Sequence, residues 1–344
     1  MPHCPDNHVK PHSCLARQQP GCPIYIPRFL DVNRHMSNKL QQQLPEYIEQ
    51  LLERVLDENP LHQRFILNSL GNITDEELER LDGYLDYCLK RGLDTEYLAK
   101  SYLTIVEDTL REQLYFIKNR EYRHKSFADV AGSVYFNDEY MHRYMYGLAL
   151  TSFLWPNHLG MARFFRESLP RDKPGRYLEV GPGHGYYLVT AMRESLFDHF
   201  LGIDISSASI EQTRDIVDYF TPPSKVNVKL SLSDFLDADQ LEDSAFDAIV
   251  MGEVLEHVEQ PDAFLRRLAR LAKKDAYIFI TTCINAPAID HIYLWRDIEE
   301  LEVMFKDCNL GIKQALHLPY QGKSVAQCVT NGLAINVAYV LEKI

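Results

Sequence analysis

The chain has 344 residues, 46% hydrophobic and 25% charged, with 36 Lys plus Arg against 49 Asp plus Glu for a formal net charge of −13. That is enough apolar material for about two domains, and the acid excess, with no Lys/Arg-rich block, argues against the basic face used by nucleic-acid and anionic-membrane binders. No apolar run approaches the roughly 20 residues of a membrane helix, and Met1–Pro27 has no apolar core of a secretory signal.

Residues 1–28 read as a disordered tail, because six prolines (Pro2, Pro5, Pro11, Pro20, Pro23, Pro27) block regular structure. Cys4, His8, His12, Cys14 and Cys22 are metal-ligand types, but they lack the paired short loops of a zinc finger, and no metal is expected. A start at Met36 would remove this segment. The seven cysteines (also Cys88, Cys283, Cys308 and Cys328) are scattered and odd in number, so free thiols in a reducing cytoplasm are the expectation.

Residues 29–170 read as an all-helical N-terminal domain. Ser37-Asn38 precede an amphipathic run through Leu40, Leu44, Ile48, Leu51, Leu52 and Val55, which Asn59-Pro60 breaks. Thr74-Asp75-Glu76-Glu77 is a capping-box start and Arg91-Gly92 a stop. A long helix follows from Thr95. The stretch Tyr135–Gly147 is crowded with aromatics; it reads as a packed interface or, more sharply, as a substrate lid presenting Tyr140 and Tyr144, since aromatic faces with polar tips suit a pocket. Exposed apolar faces in this half leave a homodimer open.

From Arg176 the pattern changes to short β-branched runs alternating with helical ones: strands over Tyr177–Val180, Phe200–Ile203, Val226–Leu230, Ala248–Met251 and Tyr277–Thr281, with helices Tyr187–Ser195, Ser207–Tyr219 and Ala263–Ala272 between them. Two last strands, Ile312–His317 and Ile335–Leu341, follow a helix over Asp297–Phe305. This alternation predicts βαβ units, so residues 171–344 are expected to form an α/β, doubly wound Rossmann-like seven-stranded sheet.

Leu178-Glu179-Val180-Gly181-Pro182-Gly183-His184-Gly185 runs a strand through a glycine-rich turn into a helix. This is the first-turn position at which doubly wound folds bind nucleotides. The spacing is G-x-G-x-G rather than the dinucleotide G-x-G-x-x-G, which disfavours a NAD-dependent dehydrogenase, and no G-x-x-x-x-G-K-[ST] loop is present. Asp204 ends the second strand, where a carboxylate can accept both hydroxyls of a ribose. Ser233-Asp234-Phe235 follows the third. Phe246 to Val258 ends a fourth strand and opens a helix, carrying Glu253, Glu256 and His257, with Glu256 expected to face outward.

These four motifs in register resemble the class I (Rossmann-like) S-adenosylmethionine-dependent methyltransferases, over about residues 140–344. The resemblance implies S-adenosyl-L-methionine as cofactor, with Gly181, Gly183 and Gly185 against its methionine and ribose, Glu179 supporting that turn or contacting the amino group, Asp204 on the ribose, Asp234 and Phe235 at the adenine, and Glu253 beside the methionine portion. An E-H-V element is common to members of differing chemistry, so His257 is weighed as an orienting residue ahead of a general base.

The loop after the fifth strand, Thr281 to Arg296, begins where ligands bind in such sheets. Many small-molecule methyltransferases carry a His followed by an aromatic here, so His291, Tyr293 and Asn285 become candidates for the substrate wall, and His291, His257 and Tyr293 for catalysis, with His142 another possible base. Trp295 and Arg296 can instead start the next helix. No pair of metal-binding acids stands out. The helical half and acidity resemble natural-product tailoring enzymes, which implies a small metabolite as acceptor, an amino acid or related amine, arginine-like at the finest. A protein or RNA methyltransferase and a non-catalytic cofactor-binding protein are the alternatives; no N-P-P-[FY] tetrapeptide follows strand four.

Overall fold

The computed structural model describes residues 44–221, 227–238 and 241–344. The expectations for residues 1–28 and for a helix start at Ser37-Asn38 lie outside them.

Among the described residues, those from 46 to 168 are mostly helical. The first, α1 (Glu46–Glu58), buries Ile48, Leu51, Leu52 and Val55 on one face and ends before Pro60. After α2 (Gln63–Leu70), α3 (Asp75–Lys90) starts on the reciprocal capping box of Thr74 and Glu77, which satisfies two orphan N–H groups of its first turn. Asp94 caps the 25-residue α4 (Thr95–Asn119). Two short turns, Phe127–Val130 and Ala131–Tyr135, lead to α5 (Asp138–Leu154) and α6 (Pro156–Ser168).

Helix α5 is buried along most of its length because it crosses α4 closely. Gly147 permits that crossing: a Cβ there would lie 2.4 Å from the Ser101 carbonyl oxygen and 2.6 Å from Ile105 Cγ1. Gly147→Ala is therefore expected to destabilise the fold by about 1–3 kcal/mol through overpacking. A chemical-denaturation midpoint equal to that of the wild type would contradict this.

Seven strands form one sheet in the order β3-β2-β1-β4-β5-β7-β6. They span β1 (Arg176–Val180), β2 (His199–Asp204), β3 (Asn227–Leu232), β4 (Phe246–Gly252), β5 (Ala272–Ile284), β6 (Leu310–Pro319) and β7 (Ile335–Lys343). The first five pair in parallel, while β7 runs antiparallel to both β5 and β6. The connecting helices are α7 (Tyr186–Glu194), α8 (Ser207–Phe220), α9 (Pro261–Leu271), α10 (Ile298–Asp307) and α11 (Val325–Asn331). Strands covered on both faces read as near-continuous apolar runs, and β4 and β5 do so: Ala248, Ile249, Val250, Met251, Ile278, Phe279 and Ile280 are all fully buried.

Two expectations change here. The Val254–Val258 stretch opens no α-helix; Leu255–His257 make one 3-10 turn, and α9 begins only at Pro261. Glu256 consequently does not follow a helical face outward. It is fully buried, because its carbonyl accepts the Ile292 and Tyr293 N–H groups at 2.9 and 3.0 Å and pins the residue under the loop after β5. Among the described residues no helix is long and apolar enough to cross a membrane.

Ion pairs tie the N-terminal helices to one another and to α7 of the sheet region. Glu194 at the end of α7 accepts from Arg80 of α3, Arg166 of α6 and Arg171. Arg163 of α6 grips the buried Glu77 through two nitrogens, at 2.5 and 2.6 Å. Helix α5 lies by the turn after β1, where a Cβ on Gly183 would come within 3.2 Å of Met145 Sδ.

Candidate active site

A cavity of about 1410 Å³ opens between the carboxyl ends of β1 and β4 and helices α4 to α6. It exceeds the roughly 300–1,000 Å³ of a typical ligand pocket, so it has room for two small molecules side by side. Glu179, Gly181, Gly183, Asp204, Asp234, Phe235 and Glu253 all line it, as do Tyr144, His257 and His291.

The glycine turn forms one wall. Gly181 and Gly183 have φ of 68° and 51°, the left-handed region that glycine enters without a Cβ penalty. A Cβ on Gly183 would come within 3.2 Å of Met145 Sδ from α5. Gly185 stands behind the wall: it caps α7, and a Cβ there would meet Ile216 Cγ2 of α8 at 2.6 Å, so its task is helix packing.

Asp204 accepts the Gly183 N–H at 3.3 Å and the Ser206 N–H at 2.9 Å. Burial nevertheless pushes its carboxyl up to about 6. Those two backbone donors leave lone pairs free toward the cavity. Glu179 is buried, accepts the Tyr177 hydroxyl at 2.6 Å, and is pushed up to about 8 by desolvation. Glu253 has φ 53°, an uncommon conformation for a non-glycine residue and one that clusters at functional sites. The Thr281 carbonyl and hydroxyl both take its N–H. Burial raises its carboxyl as well.

Four buried polar atoms on this wall have no hydrogen-bond partner: Glu253 Oε1, His184 Nδ1, Ser209 Oγ and Ser233 Oγ. Orphaned polar groups that cost about 1–3 kcal/mol each are places where a polar ligand is accommodated. A molecule with an ammonium group, ribose hydroxyls and an adenine edge presents donors and acceptors of the kind these atoms lack, so the residues present fit the expected cofactor.

Opposite the glycine turn lies a second polar group. Asp290 is buried and accepts the Tyr135 hydroxyl at 3.1 Å and the Tyr144 hydroxyl at 3.2 Å. His257 Nδ1 lies 3.1 Å from the Asp290 carbonyl oxygen and 3.4 Å from its carboxylate. His291 sets its ring 4.8 Å from that of His257, with Nδ1 2.6 Å from the Ala286 carbonyl. Burial pushes His291 down to about 3, and His158 and His184, also on the cavity wall, down to about 4. All three rings are therefore neutral at pH 7.

Several candidates fall outside the cavity. Tyr140 stacks on Tyr144, but its hydroxyl turns to Asp108 of α4 at 2.5 Å. Asn285 takes a left-handed φ of 51° and donates Nδ2–H to the Arg296 carbonyl, closing the base of the loop. Tyr293 packs on Trp295, itself buried in the core. His142 is engaged with Tyr97. Arg296 precedes α10, bonded through its N–H to Glu300. Sequence reading missed Asp290 and Tyr135; the carboxylate directly preceding His291 was the available signal.

Comparisons with known proteins agree with the fold. Residues 157–320 match a family described as a methyltransferase domain. No curated protein matches in sequence. Among solved structures, a phosphoethanolamine N-methyltransferase 2 of Haemonchus contortus is similar over 63% of this chain and 60% of its own, at 15% identity and a TM-score of 0.46. The cyclopropane synthase MmaA2 of Mycobacterium tuberculosis overlaps 55% of this chain and 85% of its own, at 13% identity and a TM-score of 0.44. A SAM-dependent methyltransferase of Aquifex aeolicus overlaps 54% and 93%, at 18% identity and a TM-score of 0.40. Likenesses this distant carry no residue role.

Proposed function

This chain carries, over residues 157–320, a methyltransferase domain of the class I S-adenosylmethionine-dependent family, and from that premise we propose that it methylates a small metabolite with an N–H or O–H nucleophile, an amine of amino-acid type foremost. The observation that carries this reading is the charge of the cavity wall. Six carboxyl residues line it (Glu179, Asp204, Asp234, Glu253, Glu259 and Asp290) against one ammonium, Lys323; burial leaves Glu179 neutral at pH 7, and with Glu179, Asp204, Asp234 and Glu253 given to the cofactor, Glu259 and Asp290 remain for the acceptor. The buried imidazoles of His158, His184 and His291 are neutral, so they repel no cation. A neutral or cationic guest fits, whereas an anionic one would meet like charge. The apolar sides from Ile105, Leu148 and Phe127 suit a small organic body.

The cofactor brings a methyl group on a sulfonium cation. Around it, Asp204 would hold the ribose hydroxyls, Glu253 the ammonium, and Phe235 the adenine face, while Glu179 supports the turn. The acceptor would lie between them and the Asp290 cluster. There Tyr144 and Tyr135 fix Asp290, Asp290 fixes His257, and the His257 Nε2 lone pair is left to take the acceptor's proton. Positioning of this kind can be worth about 7–11 kcal/mol, and proton removal a further 10²–10⁴-fold, roughly.

The test is transfer of a labelled methyl group from the cofactor to a panel of amino acids including arginine, primary amines, phenols, carboxylates, a protein extract and total RNA. Label in the small amines or hydroxyl compounds is the expected result. Label confined to protein or RNA would overturn the reading.

A further inference from the structure

Three side chains with metal-ligating atoms converge at the acceptor end. Glu256, His257 and His291 offer ligating atoms that all lie within 4.8 Å of one another. Glu256 is fully buried; one carboxylate oxygen accepts the Thr282 hydroxyl at 2.7 Å, and the other, Oε1, has no hydrogen-bond partner. A buried carboxylate oxygen that no donor satisfies, beside the carboxyl of Glu253, is costly.

The two imidazoles are prepared in the same manner. His257 Nδ1 faces the Asp290 carbonyl and His291 Nδ1 faces the Ala286 carbonyl, at 3.1 and 2.6 Å. A carbonyl accepts only from N–H, so each Nδ1 carries the proton and each Nε2 keeps its lone pair. That is the backing by which proteins fix the tautomer of metal-bound histidines. Two imidazole nitrogens and one carboxylate form the donor set of open zinc sites and of 2-His-1-carboxylate centres. His257 and His291 line the cavity, while Glu256 lies just behind its wall.

We propose that Glu256, His257 and His291 bind a divalent transition-metal ion of the zinc type, open on the cavity side to a nitrogen or oxygen of the methyl acceptor. Ligands at about 2.0–2.2 Å from an ion can be at most roughly 4.4 Å apart, so binding draws the three inward by a fraction of an ångström each. The acceptor's role at the ion rests on the function proposed above; ion binding itself does not. A coordinated N–H or O–H loses its proton to water more readily. The freed lone pair forms the bond to the methyl carbon, and the electrons of the broken C–S bond remain on sulfur. His257 then acts as a ligand, the ion acidifies the acceptor, and water takes the proton.

The experiment is calorimetric titration of ZnCl2 into the EDTA-treated full chain, as wild type, Glu256→Gln and His291→Ala, with Co²⁺ absorption of the wild type in parallel. The expected result is one zinc per chain that weakens at least about 10–100-fold in Glu256→Gln, with visible Co²⁺ bands. S-adenosylhomocysteine binding and the metal-free melting curve of Glu256→Gln should match the wild type. Absence of stoichiometric zinc and of Co²⁺ bands would overturn the proposal. So would zinc bound equally by all three proteins, which would place it on residues such as Cys4, His8, His12, Cys14 and Cys22. Full-rate methyl transfer by the EDTA-treated chain would overturn coordination of the acceptor and leave the reading of the cavity intact.

Discussion

His257→Asn is expected to lower kcat by about 10²–10⁴-fold while S-adenosylhomocysteine binding stays within about twofold of the wild type. Asparagine keeps a donor for the Asp290 carbonyl and loses the second ring nitrogen, so the variant isolates that lone pair. Three long-range contacts converge on Asp290, which Tyr135 and Tyr144 hold and which in turn holds the His257 ring. The loss therefore appears in kcat, since the lone pair acts on the acceptor only as its proton leaves. A base and a metal ligand both give this result and are separated by zinc: the base reading predicts activity indifferent to EDTA, the ligand reading activity restored by added ion. A rise in KM at unchanged kcat would reduce His257 to an orienting residue. Tyr144→Phe tests the same chain one step back; it removes one of the two hydroxyls on Asp290, and a several-fold fall in kcat is expected.

The cofactor side of the cavity was legible in the sequence because its signals are local. A strand, a glycine turn and a helix start can be read from Glu179 to Gly185, Asp204 closes β2, Phe235 lies three residues past β3, and Glu253 directly follows β4. The acceptor side was legible only in part. Tyr135 and Tyr144 reach Asp290 across about 150 residues of sequence, a pairing that no spacing rule reveals. Tyr140 and Tyr144, four residues apart, share a face of α5, yet only Tyr144 lines the cavity, because Asp108 on α4 captures the Tyr140 hydroxyl. Asn285 and Tyr293 belong to the correct loop but are taken up in its framework. Glu256 was misread for a simple reason: a 3-10 turn rotates side chains differently from the α-helix the pattern suggested.

Asp204→Ala is expected to weaken S-adenosylhomocysteine binding by about 10–100-fold, the equivalent of the roughly 1.5–3 kcal/mol that hydrogen bonds to a charged group are worth. Asp204 is well suited to the ribose because backbone N–H groups from Gly183 and Ser206 fix its carboxylate while its remaining lone pairs face the cavity. Its pH behaviour gives a second readout. Burial raises its folded-state pKa to about 6, above the usual value near 3.9. The folded chain therefore binds this proton more tightly than the unfolded chain does. The stability associated with it is complete below about pH 4 and is lost as pH rises through about 6. Ribose hydroxyls favour the ionised carboxylate, so binding runs in the opposite sense: affinity falls as pH drops below about 6, and binding at pH 5 releases a proton that calorimetry in buffers of different ionisation enthalpy detects. Asp204→Asn should remove the proton release and flatten the dependence through this range. An Asp204→Ala chain that binds as the wild type, with unchanged proton release, would mean that the ribose is held elsewhere in the cavity.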